Sequence, residues 1–214
     1  NSLNYARKIA KKSLNKKQFE LIEFKALEIN HYLKSIKDES IDRFIFFRTL
    51  HHLPKPYNLF KKIKKKLKKN GRIVIVEPFR SKINFLTALI AYITRQLCKT
   101  WIDDKKKLNL KNIKDIDLGI SSILKEYKYI SKKKGYDQSP MDNTTNNPDK
   151  VIFYLKKLFK IEKIITEDSF KDKIIGGVRG KNYSQVIKFI DLLDDYLIEK
   201  KIIKGTVYKI VAKK

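Results

Sequence analysis

His51 and His52 follow the apolar run Phe44-Ile45-Phe46-Phe47, and Glu77 closes the next such run, Ile73-Val74-Ile75-Val76. An imidazole titrates near neutrality, so His52 or its neighbour could take a proton from a substrate as a general base. The plainer reading is that the pair caps and packs a strand-to-helix corner. Glu77, at a strand end, could orient a substrate or simply solvate the rim. No metal is expected. His31 is the only other histidine and Cys98 the only thiol, too few ligands to converge on zinc. Phe47, Arg48 and Thr49 end a strand, the place where open α/β sheets hold ligands, although Phe47 reads equally well as core. Tyr92, Tyr127, Tyr129 and Tyr136 could line a lid over a substrate, but aromatics at helical spacing more often pack inward.

The elements that must position these residues follow from periodicity. Residues 4–17 read as a helix, with Leu3, Ala6, Ile9, Ala10 and Leu14 along one face. Phe19–Phe24 reads as a short strand. The uninterrupted run Phe44–Phe47 has the pattern of a strand buried on both faces of a parallel sheet. Pro54 and Pro56 punctuate a loop and open a helix near Tyr57. Leu59, Phe60, Ile63 and Leu67 make that helix's apolar stripe, lysines cover the rest, and Asn70-Gly71 reads as its stop. Ile73–Val76 is the next strand, expected parallel to Phe44–Phe47, adjacent to it and central. Further on, helices are expected at 83–101, 108–132, 149–158 and 183–200, with strands at 160–166 and 206–212. Residues 135–149 read as a polar loop, and Gly176, Gly177 and Gly180 as a flexible one. This alternation defines an α/β chain with an open sheet.

Composition narrows the setting. A chain of 214 residues with 42% apolar residues can bury a core of its own as one domain. A single cysteine excludes an internal disulfide framework and suits a reducing, cytoplasmic compartment. The longest apolar run, Ile83 to Ile93, is too short to span a bilayer. The net charge of +27 suggests a polyanion, yet it comes from 43 Lys against 7 Arg. Arginine carries the planar fork that reads phosphates and bases, so nucleic acid is the weaker expectation and solvated lysine faces the stronger.

Taken in order, "DESIDRFIFFRTLHHLPKPYNLFKKIKKKLKKNGRIVIVEP" resembles the central region of class I S-adenosylmethionine-dependent methyltransferases. The matching pieces are Ser40-Ile41-Asp42, Leu50-His51-His52-Leu53, Pro54, Leu67-Lys68-Lys69-Asn70-Gly71 and Glu77-Pro78. "NSLNYARKIAKK" is similar to the helix after that family's second strand, and "GTVYKIVAKK" to its last strand. The resemblance implies a Rossmann-like, mostly parallel sheet flanked by helices, with the last strand antiparallel beside 160–166. It divides one domain, 1–214, into a sheet core (1–80 and 159–214) and a helical insertion or substrate lid (81–158).

The resemblance also implies S-adenosyl-L-methionine as cofactor, with Ala26, Leu27, Phe47, Arg48, Thr49 and His51 beside it and His52 and Glu77 as catalytic candidates. The glycine-rich loop and ribose-binding acid of that family have no counterpart here, and residue 1 is Asn. The expectation is a chain lacking its first strands. In that case the Phe44–Phe47 strand either pairs with Phe19–Phe24 or keeps an open apolar edge. The implied acceptor is a small molecule or a lipid-like one near an anionic membrane, given Lys82, Arg95 and Lys99 around an apolar helix. The competing class is a non-catalytic binding protein that turns its basic surfaces to RNA, membrane or a protein partner.

Overall fold

The computed structural model describes residues 2–53, 55–79, 82–97, 113–128, 147–179 and 182–214. Its frame is a four-stranded sheet of β1 (Ile41–Phe47), β2 (Leu67–Pro78), β3 (Lys160–Glu167) and β4 (Val207–Lys213), in the order β1-β2-β4-β3. β1 and β2 are adjacent and parallel, with Phe44 opposite Ile73 and Phe47 opposite Val76. β4 runs antiparallel between β2 and β3, so it alone is reversed in the sheet. The closing strand and its neighbour are thus as expected.

β1 is not central, however; it is an edge. Its residues alternate, with Phe44 and Phe46 buried while Ile45 and Phe47 stand 67% and 64% exposed. The run is therefore covered on one face only. Phe19–Phe24 does not become its partner. Asn15 accepts from the Gln18 amide at 2.9 Å while Gln18 accepts from the Asn15 amide at 3.2 Å, a capping box that starts a helix where a strand was expected. That helix is α2 (Lys16–Glu20), after α1 (Ser2–Ser13), and Phe24 folds back within 6.2 Å of Phe19. The apolar stripe of α1 is only partly covered, with Leu3, Ala10 and Leu14 half-buried and Ile9 44% exposed.

The covered face explains the rest of the sheet. α3 (Ile29–Ser35), α4 (Pro56–Lys66) and α7 (Pro148–Leu158) lie over it, α4 opening with proline at its first turn as expected. Leu59, Phe60 and Ile63 of α4 pack with Ile73, Ile75 and Ile210 in one core. Burying a side chain of that size contributes about 2 kcal/mol, so α4 is anchored well despite its lysines. The helix ends at Lys66 rather than at Asn70-Gly71, because Leu67 turns extended and is itself in the core. Asn70 takes the left-handed φ of 69° inside an irregular start of β2. A side chain at Gly71 would meet the Lys68 carbonyl at 2.9 Å, so the glycine serves this bulge.

A second core lies apart from the sheet. α5 (Phe85–Leu97) and α6 (Ile113–Lys128) pack with α8 (Lys171–Ile174) and α9 (Tyr183–Glu199) through Ala88, Ala91, Ile120, Ile123, Phe170 and Ile190. α6 approaches α5 closely because Gly119 leaves room for Tyr92; a Cβ there would lie 2.3 Å from the ring. Tyr92 is thus core, not lid lining, at 6% exposed. Tyr129, Tyr136, most of the 135–149 loop and Gly180 lie outside the described residues, as does the Tyr127 side chain. Gly176 and Gly177 belong to a short 3-10 turn, Ile175–Gly177, that continues α8 instead of a free loop. Among the described residues no helix is long and apolar enough to cross a membrane.

Candidate active site

Parity along β2 sets the site. Gly71, Ile73, Ile75, Glu77 and Phe79 all fall on buried positions, so Glu77 places a carboxylate where the alternation calls for an apolar residue. It is fully buried. A buried carboxylate needs partners, and the loop after β1 supplies them. The Leu50 amide donates to Glu77 Oε2 at 2.9 Å, and His51 Nδ1 pairs with Glu77 Oε1. Glu77 therefore does not solvate a rim; it fastens the β1–α4 corner from inside.

The corner itself is a short 3-10 turn, Leu50–His52, closed by the Leu53 amide donating to the Leu50 carbonyl at 3.0 Å. Leu50 is the buried plug. His51 keeps 19% of its side chain exposed, and its ring centroid lies 3.9 Å from that of His52, which is exposed. The result is a graded series from buried carboxylate through half-buried imidazole to an open imidazole. Such a series can fix one ring and leave the next free to meet a ligand.

The other predicted residues part ways here. Arg48 adopts a left-handed φ of 51°, its amide donates to the Val76 carbonyl at 2.7 Å, and its guanidinium lies 3.7 Å from Asp168 at the end of β3. Phe47 projects onto the uncovered face opposite Val76, with the Arg48 guanidinium 6.0 Å from its ring centroid. Thr49 is exposed beside them. Ala26 and Leu27 lie in the irregular stretch before α3, exposed, and join no helix or strand. The sheet thus gathers His51, His52 and Glu77 at one corner and leaves Phe47, Arg48 and Thr49 as an open shelf next to it.

A neighbouring cluster has no counterpart in the expectations from sequence. Asp194 of α9, buried, accepts the amides of Ser169 and Phe170 at 2.8 Å and of Lys171 at 3.3 Å. Burial raises its pKa, and the three amides pull the other way. Lys171 lies within 3.0 Å of Asp168, 2.7 Å of Asp191 and 3.0 Å of Asp195. Burial pulls its ammonium down, but the three aspartates outweigh that and hold its pKa well above the ordinary lysine value. The signal for Asp194 was present: it follows Ile190 by one helical turn on the buried side of α9.

The matching family model is a methyltransferase domain, aligned over residues 1–135, more than half of the 214. The chain belongs to the methyltransferase domain family, and the class its motifs resemble draws its methyl group from S-adenosyl-L-methionine. Among solved structures it is similar to a SAM-dependent methyltransferase from Archaeoglobus fulgidus, at 18% identity and a TM-score of 0.42, over 99% of this chain and 81% of that one. It is also similar to geranyl diphosphate C-methyltransferase from Streptomyces coelicolor A3(2), at 8% identity and a TM-score of 0.45, over 99% of this chain and 60% of that one. Both likenesses are distant. No curated protein matches the chain.

Proposed function

We propose that the β1–β2 corner is the acceptor side of a methyl-transfer site, with His52 receiving the acceptor's proton and Glu77 holding His51 and the loop in place. What supports this reading is one arrangement: a fully buried Glu77 gripping both the Leu50 amide and His51 at the carboxyl ends of two parallel strands. The methyl donor brings the reactivity as a sulfonium, so this chain's own task is alignment and, for a weakly acidic acceptor, a base. His51 and the exposed shelf of Phe47, Arg48 and Thr49 suit one wall for the donor. Ala26 and Leu27 would meet it only if the stretch before α3 closed over that shelf. Its carboxylates are engaged, Glu23 with Lys25 at 2.7 Å and Glu28 with the His31 amide at 3.0 Å, so neither offers a free acid for the ribose. The fit to the donor is partial.

The acceptor in this reading is a small molecule or a lipid-like one, because α5 leaves Phe85, Ile93 and Leu97 exposed at 57%, 47% and 82%. The wall facing the shelf of Phe47, Arg48 and Thr49 is left open at the β1 edge. The bare Ile45 and Phe47 fit this, since a sheet edge with such a face invites further pairing and packing. Calorimetric titration with S-adenosyl-L-methionine tests this one-walled reading. Residues 1–214 should bind weakly or not at all, because the shelf supplies one wall only. Micromolar binding by residues 1–214 would overturn it.

A further inference from the structure

A cavity of about 530 Å³ opens between α3 and the outward side of α4, lined by Asn30, Lys55, Asn58, Leu59, Lys61, Lys62 and Lys65. Four lysine side chains line this one concavity. Among the described residues, none of the four forms an ion pair with a carboxylate. Nearby lysines are matched: Lys66 with Asp38 at 2.7 Å, Lys68 with Asp42 at 3.0 Å, Lys214 with Glu39 at 2.9 Å. The polar neighbours of the four are instead neutral. Lys62 donates to Asn30 Oδ1 at 2.7 Å, and Lys61 lies 4.8 Å from the centroid of the Tyr57 ring. Glu28, the carboxylate nearest in chain to Asn30, is engaged by the Asn30 amide group at 2.8 Å and by the His31 amide. Asp38, whose carboxyl is held low first by its hydrogen bond to Lys66 and also by the charge of Lys65, is committed to Lys66.

Lysine-rich composition by itself predicts ammonium groups splayed apart over convex surface, as on α1, where repulsion is least. Convergence of four into a hollow concentrates positive charge that, among the described residues, no ion pair to these four balances. Lysine is a compact point charge with rotatable donors and lacks the planar fork that matches a carboxylate, so it suits tetrahedral, charge-dense oxyanions. We propose that this α3–α4 cavity binds phosphate groups, with Lys55, Lys61, Lys62 and Lys65 supplying charge, Asn30 positioning Lys62 and Asn58 adding a neutral amide. The phosphate comes either from a soluble oligophosphate or from a lipid headgroup. The proposal does not rest on the methyl-transfer reading, since no lining residue belongs to the β1–β2 corner.

The test compares two double charge reversals of equal net charge: Lys62→Glu with Lys65→Glu in the cavity, and Lys8→Glu with Lys12→Glu on exposed α1. Inorganic pyrophosphate is titrated by calorimetry, and vesicles of phosphatidylcholine with phosphatidylglycerol are tested by co-sedimentation. Circular dichroism checks that each variant is folded, and Lys62→Gln with Lys65→Gln repeats the cavity change without added acid. Weakening of pyrophosphate binding by about tenfold or more in the cavity variant, against about twofold on α1, supports a soluble ligand. The same contrast with vesicles alone supports the headgroup. Equal losses in both variants, or no binding of either probe, overturn the proposal.

Discussion

Glu77 and Asp194 are both fully buried carboxylates, and both catch backbone amides just past a strand, yet they are spent differently. Asp194 directs its oxygens at three amides, those of Ser169, Phe170 and Lys171, and nothing in that set leads outward. Glu77 takes one amide and gives its other oxygen to His51, whose ring lies tilted against that of exposed His52. The first arrangement closes a turn. The second connects the interior of the sheet to an open imidazole. Burial and charge alone do not tell the two acids apart; in the proposed reading, the partner on the second oxygen marks Glu77 as the functional one.

The comparison breaks most plainly at Asp194. In Asp194→Ala two buried amides and the half-buried one of Lys171 lose their acceptor, and the loss of stability should be on the order of 3 kcal/mol by urea unfolding. Hydrogen exchange should speed at Ser169, Phe170 and Lys171 while Leu50 stays protected. An Asp194→Ala chain as stable as the parent would show that water or a shifted turn serves those amides instead. Next in size is Lys171→Met, which leaves Asp168, Asp191 and Asp195 together without their cation. The cost should be about 1–2 kcal/mol at neutral pH, moderated because Asp191 and Asp195 are half exposed. The sign with pH follows from the raised lysine pKa. Its contribution is complete below the ordinary lysine value and fades as pH rises through the folded one. The parent should therefore lose stability above about pH 10.5 more steeply than Lys171→Met, and parallel curves would remove the aspartate cage from the account.

Much of this frame was legible in the sequence, and the failures have identifiable causes. β2, β3, β4, α4, α7 and α9 announce themselves by period and by proline placement. The edge position of β1 does not, because Phe44-Ile45-Phe46-Phe47 is apolar at every place and nothing local says what covers Ile45 and Phe47. Residues 19–24 alternate over too few positions to outweigh the Asn15-x-x-Gln18 box beside them, which is the stronger local signal. The burial of Glu77 follows from its parity with Ile73 and Ile75, which neither of its two readings, orienting a substrate or solvating the rim, takes into account. Arg48 reaching Asp168 was beyond the sequence, since the two directly follow β1 and β3, strands at opposite edges of the sheet.

The smallest effects on stability, and the sharpest on function, are expected at the Glu77 corner. Glu77→Gln keeps an oxygen for the Leu50 amide and exchanges the charged contact to His51 for a neutral one, so the cost should be about 1 kcal/mol. Leu50 exchange should stay slow in this variant and rise in Glu77→Ala, which separates the fastening of the loop from the charge. His52→Ala removes an exposed ring and should shift stability by no more than about 0.5 kcal/mol. If His52 takes the acceptor's proton, methyl transfer should fall by about 100-fold in that variant, with KM little changed, and added imidazole should restore part of the rate. Glu77→Gln should lower the rate by less, because it loosens His51 without removing the base. A His52→Ala enzyme with full turnover would place both histidines among the packing residues and make Glu77 a second Asp194.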